Sequence, residues 1–153
     1  MNAAEFPIEG RLLGVDYGAV RIGVSICDPS QTLASPLANY DRRSKELDAK
    51  YFRTLIQEEG VVGIVVGLPV HNSGEESQKS LEAREFGAWL TLQTELPVRF
   101  YDERFSTAHA QRILGDAKLT KRQRKRRLDM LAAQIILAAY LESFDGQEHS
   151  GSI

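Results

Sequence analysis

Three acidic positions hold the chemistry this chain could perform. Asp16 closes the apolar run Leu12-Leu13-Gly14-Val15, and beyond the turn at Gly18 a second run, Arg21-Ile22-Gly23-Val24-Ser25-Ile26, returns. Asp is poorly suited to a strand interior. At a strand tip it is either a turn residue or a carboxylate held rigidly for metal binding or acid–base work. The second position lies in Tyr101-Asp102-Glu103-Arg104-Phe105, where another strand-like stretch runs out. The third is Asp129, directly after a cationic run and before the small pair Ala132-Ala133. An acid beside an apolar stripe is costly unless it has a partner.

Three carboxylates on separate elements suit two-metal phosphodiester hydrolysis. That reaction needs hard oxygen ligands for two divalent ions about 3.5–4 Å apart, one activating water and one stabilising the leaving oxygen. Mg²⁺, or Mn²⁺ in its place, fits because Mg²⁺ takes a few carboxylates together with water and phosphate oxygens. Each acid alone has a plainer reading. Asp102 and Glu103 could be exposed residues paired with Arg104, and Asp129 could pair with Lys125 or Arg126 along its helix. Their joint occurrence favours the chemical reading.

Elements must bring these acids together. The pattern predicts strands at 11–17, 21–27 and near 31–37, joined too tightly for crossover helices and therefore an antiparallel meander. A helix over 44–59 places Leu47, Tyr51, Leu55 and Ile56 on one stripe, and Gly60 ends it. The run Val61-Val62-Gly63-Ile64-Val65-Val66-Gly67 reads as a strand buried on both faces. Ser73-Gly74-Glu75-Glu76 predicts a capping box for a helix over about 75–93. A strand at 97–102, a short helix at 105–114 and a last helix bearing Leu128, Leu131, Ala132, Ile135 and Ala139 follow. The order βββαβαβαα predicts an α/β fold of ribonuclease H-like layout: a mixed five-stranded sheet flanked by helices. One domain over 1–153 is expected, its core at about 11–145, with 1–9 and the tail from Gly146 frayed.

A hydrophobic fraction of 42% supplies a sizeable core, and no apolar run approaches the roughly 20 residues that span a bilayer. No membrane partner is expected. Cys27 is the lone cysteine, which fits a reducing cytoplasm and a buried strand position without a redox role. The net charge of −2 hides an asymmetry. Lys118, Lys121, Arg122, Arg124, Lys125, Arg126 and Arg127 crowd one short stretch and need anions. Without interleaved aromatics, that run should grip a phosphate backbone with little base reading, and its binding should weaken steeply with salt. Arg21 and Arg104 stand beside the first and second acids as further phosphate contacts, or as their counter-ions. The loop Gly67–Gly74, between a buried strand and a helix start, suits an anion. His71 within it reads as solvated.

Taken in order, Gly14-Val15-Asp16-Tyr17-Gly18 with Arg21-Ile22-Gly23-Val24, Val66-Gly67-Leu68-Pro69, Asp102-Glu103-Arg104 with Ser106-Thr107, and Asp129 with Ala132-Ala133 resemble the YqgF family. Its members are described as Holliday-junction-resolvase-like nucleases and are also named for pre-16S rRNA. The resemblance covers about 11–142 and implies the same ribonuclease H-like fold. The better-known junction resolvases of this fold carry their second acid at the end of the fourth strand, where this chain has Gly67-Leu68-Pro69. The replacement must come from the neighbouring strand, about 4.8 Å further out. That reach favours the longer Glu103 over Asp102. The expected catalytic and metal-holding set is then Asp16, Glu103 and Asp129.

The resulting expectation is a Mg²⁺-dependent nuclease acting on RNA, with pre-rRNA as the substrate the resemblance implies and a ribosomal precursor particle as its setting. Other readings are a resolvase of four-way DNA and a non-catalytic nucleic-acid-binding factor on the same fold. A sugar- or acetate-kinase-like phosphotransferase also starts from Asp-x-Gly strands, but 153 residues are too few for its duplicated lobes.

Overall fold

A computed structural model of the chain describes residues 6–70, 73–106 and 131–143. The first apolar run forms β1 (Arg11–Asp16) and returns as β2 (Arg21–Cys27), followed by β3 (Ala34–Asp41). Then come α1 (Lys45–Glu59), β4 (Val61–Leu68), α2 (Gln78–Thr94) and β5 (Val98–Asp102), which runs into a 3-10 turn at Glu103–Ser106. Residues 131–143 are helical. The sheet order is β3-β2-β1-β4-β5. β1, β2 and β3 pair antiparallel, whereas β4 joins β1, and β5 joins β4, in parallel. β1 is therefore central, and its carboxyl end shares an edge of the sheet with the ends of β4 and β5.

Side chains alternate between the two faces of a strand, and the two faces here have different covers. Leu13, Val15, Ile22, Val24, Ile64 and Val66 pack with Phe52 of α1 and with Phe86 and Leu90 of α2. On the other face Leu12, Cys27 and Val65 meet Ile136, Leu137, Tyr140 and Leu141 of the 131–143 helix. Gly14 makes the second contact possible. A Cβ there would collide with Ser25 and come within 2.9 Å of both the Leu137 Cβ and the Ala133 carbonyl oxygen. The space left lets the Ser25 hydroxyl donate to the Ala133 carbonyl at 2.7 Å, pinning the helix beside the tip of β1. Cys27 is buried and accepts a hydrogen bond from the Leu12 amide.

Three local expectations are corrected. β3 begins at Ala34 because the Asp28 carboxylate takes the Thr32 and Leu33 amides, each at 2.8 Å, and extends the turn. Those bonds hold its pKa down at about 2. α2 begins at Gln78, not at 75, and its cap is Ser77, which accepts from the Ser80 amide at 3.0 Å. Gly74 has a φ of +89°, incompatible with helix, so the chain cannot start winding at Ser73. On α1 the buried stripe is Asp48, Ala49 and Phe52, with Tyr51, Leu55 and Ile56 flanking it and Leu47 exposed. The stripe is displaced because Asp48 turns inward to accept from the Tyr40 hydroxyl at 2.7 Å and the Arg43 amide at 2.9 Å. Of the expected 105–114 helix, the 3-10 turn is the described part, and 107–114 lie outside the described residues. Among the described residues, no helix is long and apolar enough to cross a membrane.

Candidate active site

Register and side-chain parity decide which acids face one another. Leu12 and Gly14 look toward the 131–143 helix, so Asp16, two residues further on, projects from that same face. The ladder of β1 and β4 ends at Val15↔Val66, and one step on brings Asp16 level with Gly67. Gly67 pairs in turn with Tyr101 of β5, which also belongs to the helix-facing layer. Glu103 follows two residues after Tyr101 and lies on this side, while Asp102 falls on the other.

Gly67 is the floor between the two acids. A Cβ at that position would lie 3.1 Å from the Glu103 Oε2 and 2.5 Å from the Ile136 Cδ1. The bare backbone thus opens the path along which Glu103 reaches inward over β4. Next to Asp16, a Cβ on Gly23 would lie 3.5 Å from the Asp16 Cβ and 3.6 Å from the Ala133 Cβ. The turn of helix at Ala133 and the first acid therefore flank the same open space above Gly23.

The electrostatics follow from this crowding. Glu103 is pushed up to about 7, first by burial and then by the negative charge of Asp16, with Lys79 of α2 opposing the shift. Asp102 moves the other way. Its carboxylate accepts from the Arg104 amide at 2.9 Å and from the Arg104 Nη2 at 2.6 Å, and these bonds hold it below the usual range. The two adjacent acids thus occupy different environments, one crowded by like charge and one neutralised by a guanidinium.

A prediction follows for the protein in chelator. Because Glu103 binds its proton more tightly in the folded chain than in the unfolded one, its contribution to stability is complete below about pH 4.5 and is lost as the pH rises through about 7. At about 1.4 kcal/mol per unit, the loss is at most about 3.5 kcal/mol. Glu103→Gln removes this loss. Thermal melts at pH 5 and pH 8 should show a drop in the wild type that is distinctly larger than in the variant. Equal drops would mean that Glu103 is not held in a charge-crowded site.

The remaining candidates divide between described and undescribed residues. Arg21 is exposed and its Nε lies 3.0 Å from the Asp41 carboxylate at the end of β3, so its partner is outside the acid pair. Arg104 is the counter-ion of Asp102 and its Nη1 lies 3.7 Å from where a Cβ on Gly74 would project. Asp129, His71 and the cations Lys118, Lys121, Arg122, Arg124, Lys125, Arg126 and Arg127 lie outside the described residues. Among the described residues, no cluster of three or more His, Cys, Asp or Glu forms a complete metal cage. The donors that are described suit a hard cation: two carboxylates on one face above a glycine floor that a side chain would fill. Sequence reasoning missed Lys79, in the first turn of α2, whose charge acts on Glu103. Nothing in its sequence surroundings distinguishes it from an ordinary solvated lysine.

A central strand tipped with an acid, two antiparallel neighbours on one side and two parallel strands on the other is the ribonuclease H-like architecture. The same fold occurs in T. thermophilus RuvC in complex with Holliday junction substrate, which superposes with a TM-score of 0.50 at 13% identity, covering 87% of this chain and 95% of that one. The sequence signature of RuvX, described as Holliday junction resolvase, matches residues 10–143. The chain belongs to the RuvX family, the family its motifs resemble, whose members are nucleases and hence hydrolases. Relatives named "Putative pre-16S rRNA nuclease" include one from Rhodopirellula baltica, 49% identical over 138 residues, covering 90% of this chain and 80% of the relative. Another from Koribacter versatilis is 38% identical and covers 88% of each.

Proposed function

We propose that the protein is a divalent-metal-dependent nuclease that hydrolyses phosphodiester bonds in RNA and processes the 5′ end of pre-16S rRNA in the cytoplasm. The observation that carries this reading is that Glu103 reaches over Gly67 on the face of Asp16, where burial first and the charge of Asp16 second push its carboxyl up to about 7. Such a pair binds a cation favourably because the cation relieves its own repulsion. Asp16, Glu103 and Asp129 are the residues proposed to hold Mg²⁺ or Mn²⁺. When bound, the ions supply an activated water and a stabilised leaving oxygen.

The chain's own part is placement. Asp16 is fixed by the central strand and Glu103 by the 3-10 turn after β5, and Asp129 precedes in sequence the helix whose Ala133 lines the space above Gly23 beside Asp16. Lys79 tempers the negative charge on Glu103. The cations of 118–127 are proposed to grip the phosphate backbone and not to hold the ions.

Four-way DNA is the competing substrate, favoured by the description of the family. Against it, β4 ends in Gly67-Leu68 with no carboxylate, so the second acid enters from the neighbouring strand and the site has a different shape. The test is cleavage by the pure protein of a 5′-extended pre-16S RNA and of a four-way DNA junction, each with Mg²⁺, with Mn²⁺ and with chelator. Cutting of the RNA near the mature 5′ end, abolished by chelator, is expected. Cutting of the junction alone would make the protein a resolvase, and binding without any cleavage would make it a non-catalytic factor.

A further inference from the structure

Directly behind Asp16, on the face opposite the acids, lies a recess of about 210 Å³ lined by Tyr17, Arg42, Lys45, Glu82, Phe86 and Trp89, among others. It is built, not incidental. The Arg42 Nη1 donates to the Tyr17 hydroxyl at 3.2 Å, and its guanidinium lies 5.4 Å from the centre of the Tyr17 ring and 5.6 Å from that of Phe86. Asp48, 1% exposed, holds the same guanidinium from behind through its Nε at 3.4 Å. Phe86 in turn stacks on Trp89 with ring centres 5.4 Å apart. The backbone joins in, since the Arg42 amide donates to the Val20 carbonyl at 2.9 Å, tying the recess to the turn that follows Asp16.

Size and charge select the occupant. Sites for drug-sized ligands run to about 300–1,000 Å³, whereas an apolar cavity of about 150 Å³ holds one benzene ring. The recess therefore suits one planar heterocycle. Its walls are aromatic faces and a fixed guanidinium, the surfaces on which unpaired bases stack. Glu82 and Glu85 on its rim repel a phosphate but can accept from the N–H groups of a base edge, while exposed Lys45 offers a cation to the attached backbone. Tyr17 follows Asp16 without an intervening residue, about 3.8 Å from it along the chain. Its ring turns to the α2 side of the sheet against Phe86, so a strand passing over the end of β1 could place a base here on the face opposite the acids.

We infer that this recess is a subsite for one unstacked base of the substrate strand where that strand passes the carboxyl end of β1. The inference rests on the nuclease reading for the identity of the strand, but its test does not require cleavage. Trp89 is the only tryptophan in the sequence and so reports on the recess directly. A short single-stranded RNA spanning the cleavage site is titrated in chelator, with binding followed by anisotropy of a label on the RNA and the recess by Trp89 fluorescence. Binding should quench Trp89. A walk of single abasic substitutions along the strand should find one position where affinity falls about tenfold and the quench disappears, a size in keeping with loss of one base–aromatic stack. In Trp89→Leu the same abasic substitution should cost less than twofold. Should that variant fold poorly, the walk on the wild-type protein decides alone.

RNA binding with unchanged Trp89 fluorescence and no sensitive position would overturn the subsite. Quenching by free guanosine monophosphate at concentrations equal to or below those of the RNA would also overturn it, making the recess a site for free nucleotide. Failure of the nuclease reading looks different: the quench and the sensitive position persist, but no metal yields cleavage.

Discussion

Asp16→Asn is expected to lower RNA cleavage by more than 100-fold while leaving the fold and RNA affinity in place. Loss of an outer-shell partner of a metal site costs about 10–100-fold, and a ligand on the central strand should cost more. Asn keeps the size of Asp and the strand geometry of β1, so the Gly14 and Ser25 contacts to the 131–143 helix are untouched. The variant has a second readout that a merely structural role would not move. Glu103 is raised partly by the charge of Asp16, so removing that charge should lower its pKa toward the ordinary glutamate range, observable by side-chain NMR titration in chelator. Undiminished turnover in Asp16→Asn removes this residue from the mechanism. An unshifted Glu103 shows that the two carboxylates do not share a site.

The sequence made the sheet legible because its strands differ in kind. The short links among the first three runs allow only hairpins, and the unbroken apolar stretch of β4 requires cover on both faces, so the switch from antiparallel to parallel pairing could be read before any coordinates. Asp16 stood out for the same reason, as a charge at the tip of a buried strand. Less legible were the features set by tertiary hydrogen bonds. Ser77 rather than Ser73 caps α2 because its hydroxyl also donates to the Pro69 carbonyl at 2.8 Å, a contact across the loop that local propensity does not contain. The inward turn of Asp48 on α1 depends on Tyr40 of β3 and on Arg43 in the link before α1, and a helical stripe drawn from apolar residues alone misplaces it. Lys79 and the Tyr17–Arg42–Trp89 recess likewise arise only when α2 is laid across β4 and β5 with Phe86 against Tyr17. Side-chain identity was visible in each case, but neighbourhood was not.

The adjacent acids at the end of β5 should behave as opposites. Glu103→Gln is expected to cost more than 100-fold in turnover at saturating RNA, since it removes a carboxylate that lies over Gly67 on the face of Asp16. Asp102→Asn should keep turnover within a few-fold of wild type, because its carboxylate is already spent on the Arg104 amide and guanidinium. Its penalty belongs to stability. A partly exposed ion pair contributes about 0.2–1 kcal/mol, and the amide of Arg104 keeps an acceptor in the Asn oxygen. Melting temperature should therefore fall slightly in Asp102→Asn, while in Glu103→Gln at pH 8 without metal it should rise, as the buried like charge disappears. Turnover and melting temperature thus move in opposite senses at neighbouring positions, which a general disturbance of the β5 terminus cannot produce. Equal losses of turnover, or the larger loss at Asp102, would assign the second acid to Asp102 and require the 3-10 turn to rearrange when substrate binds.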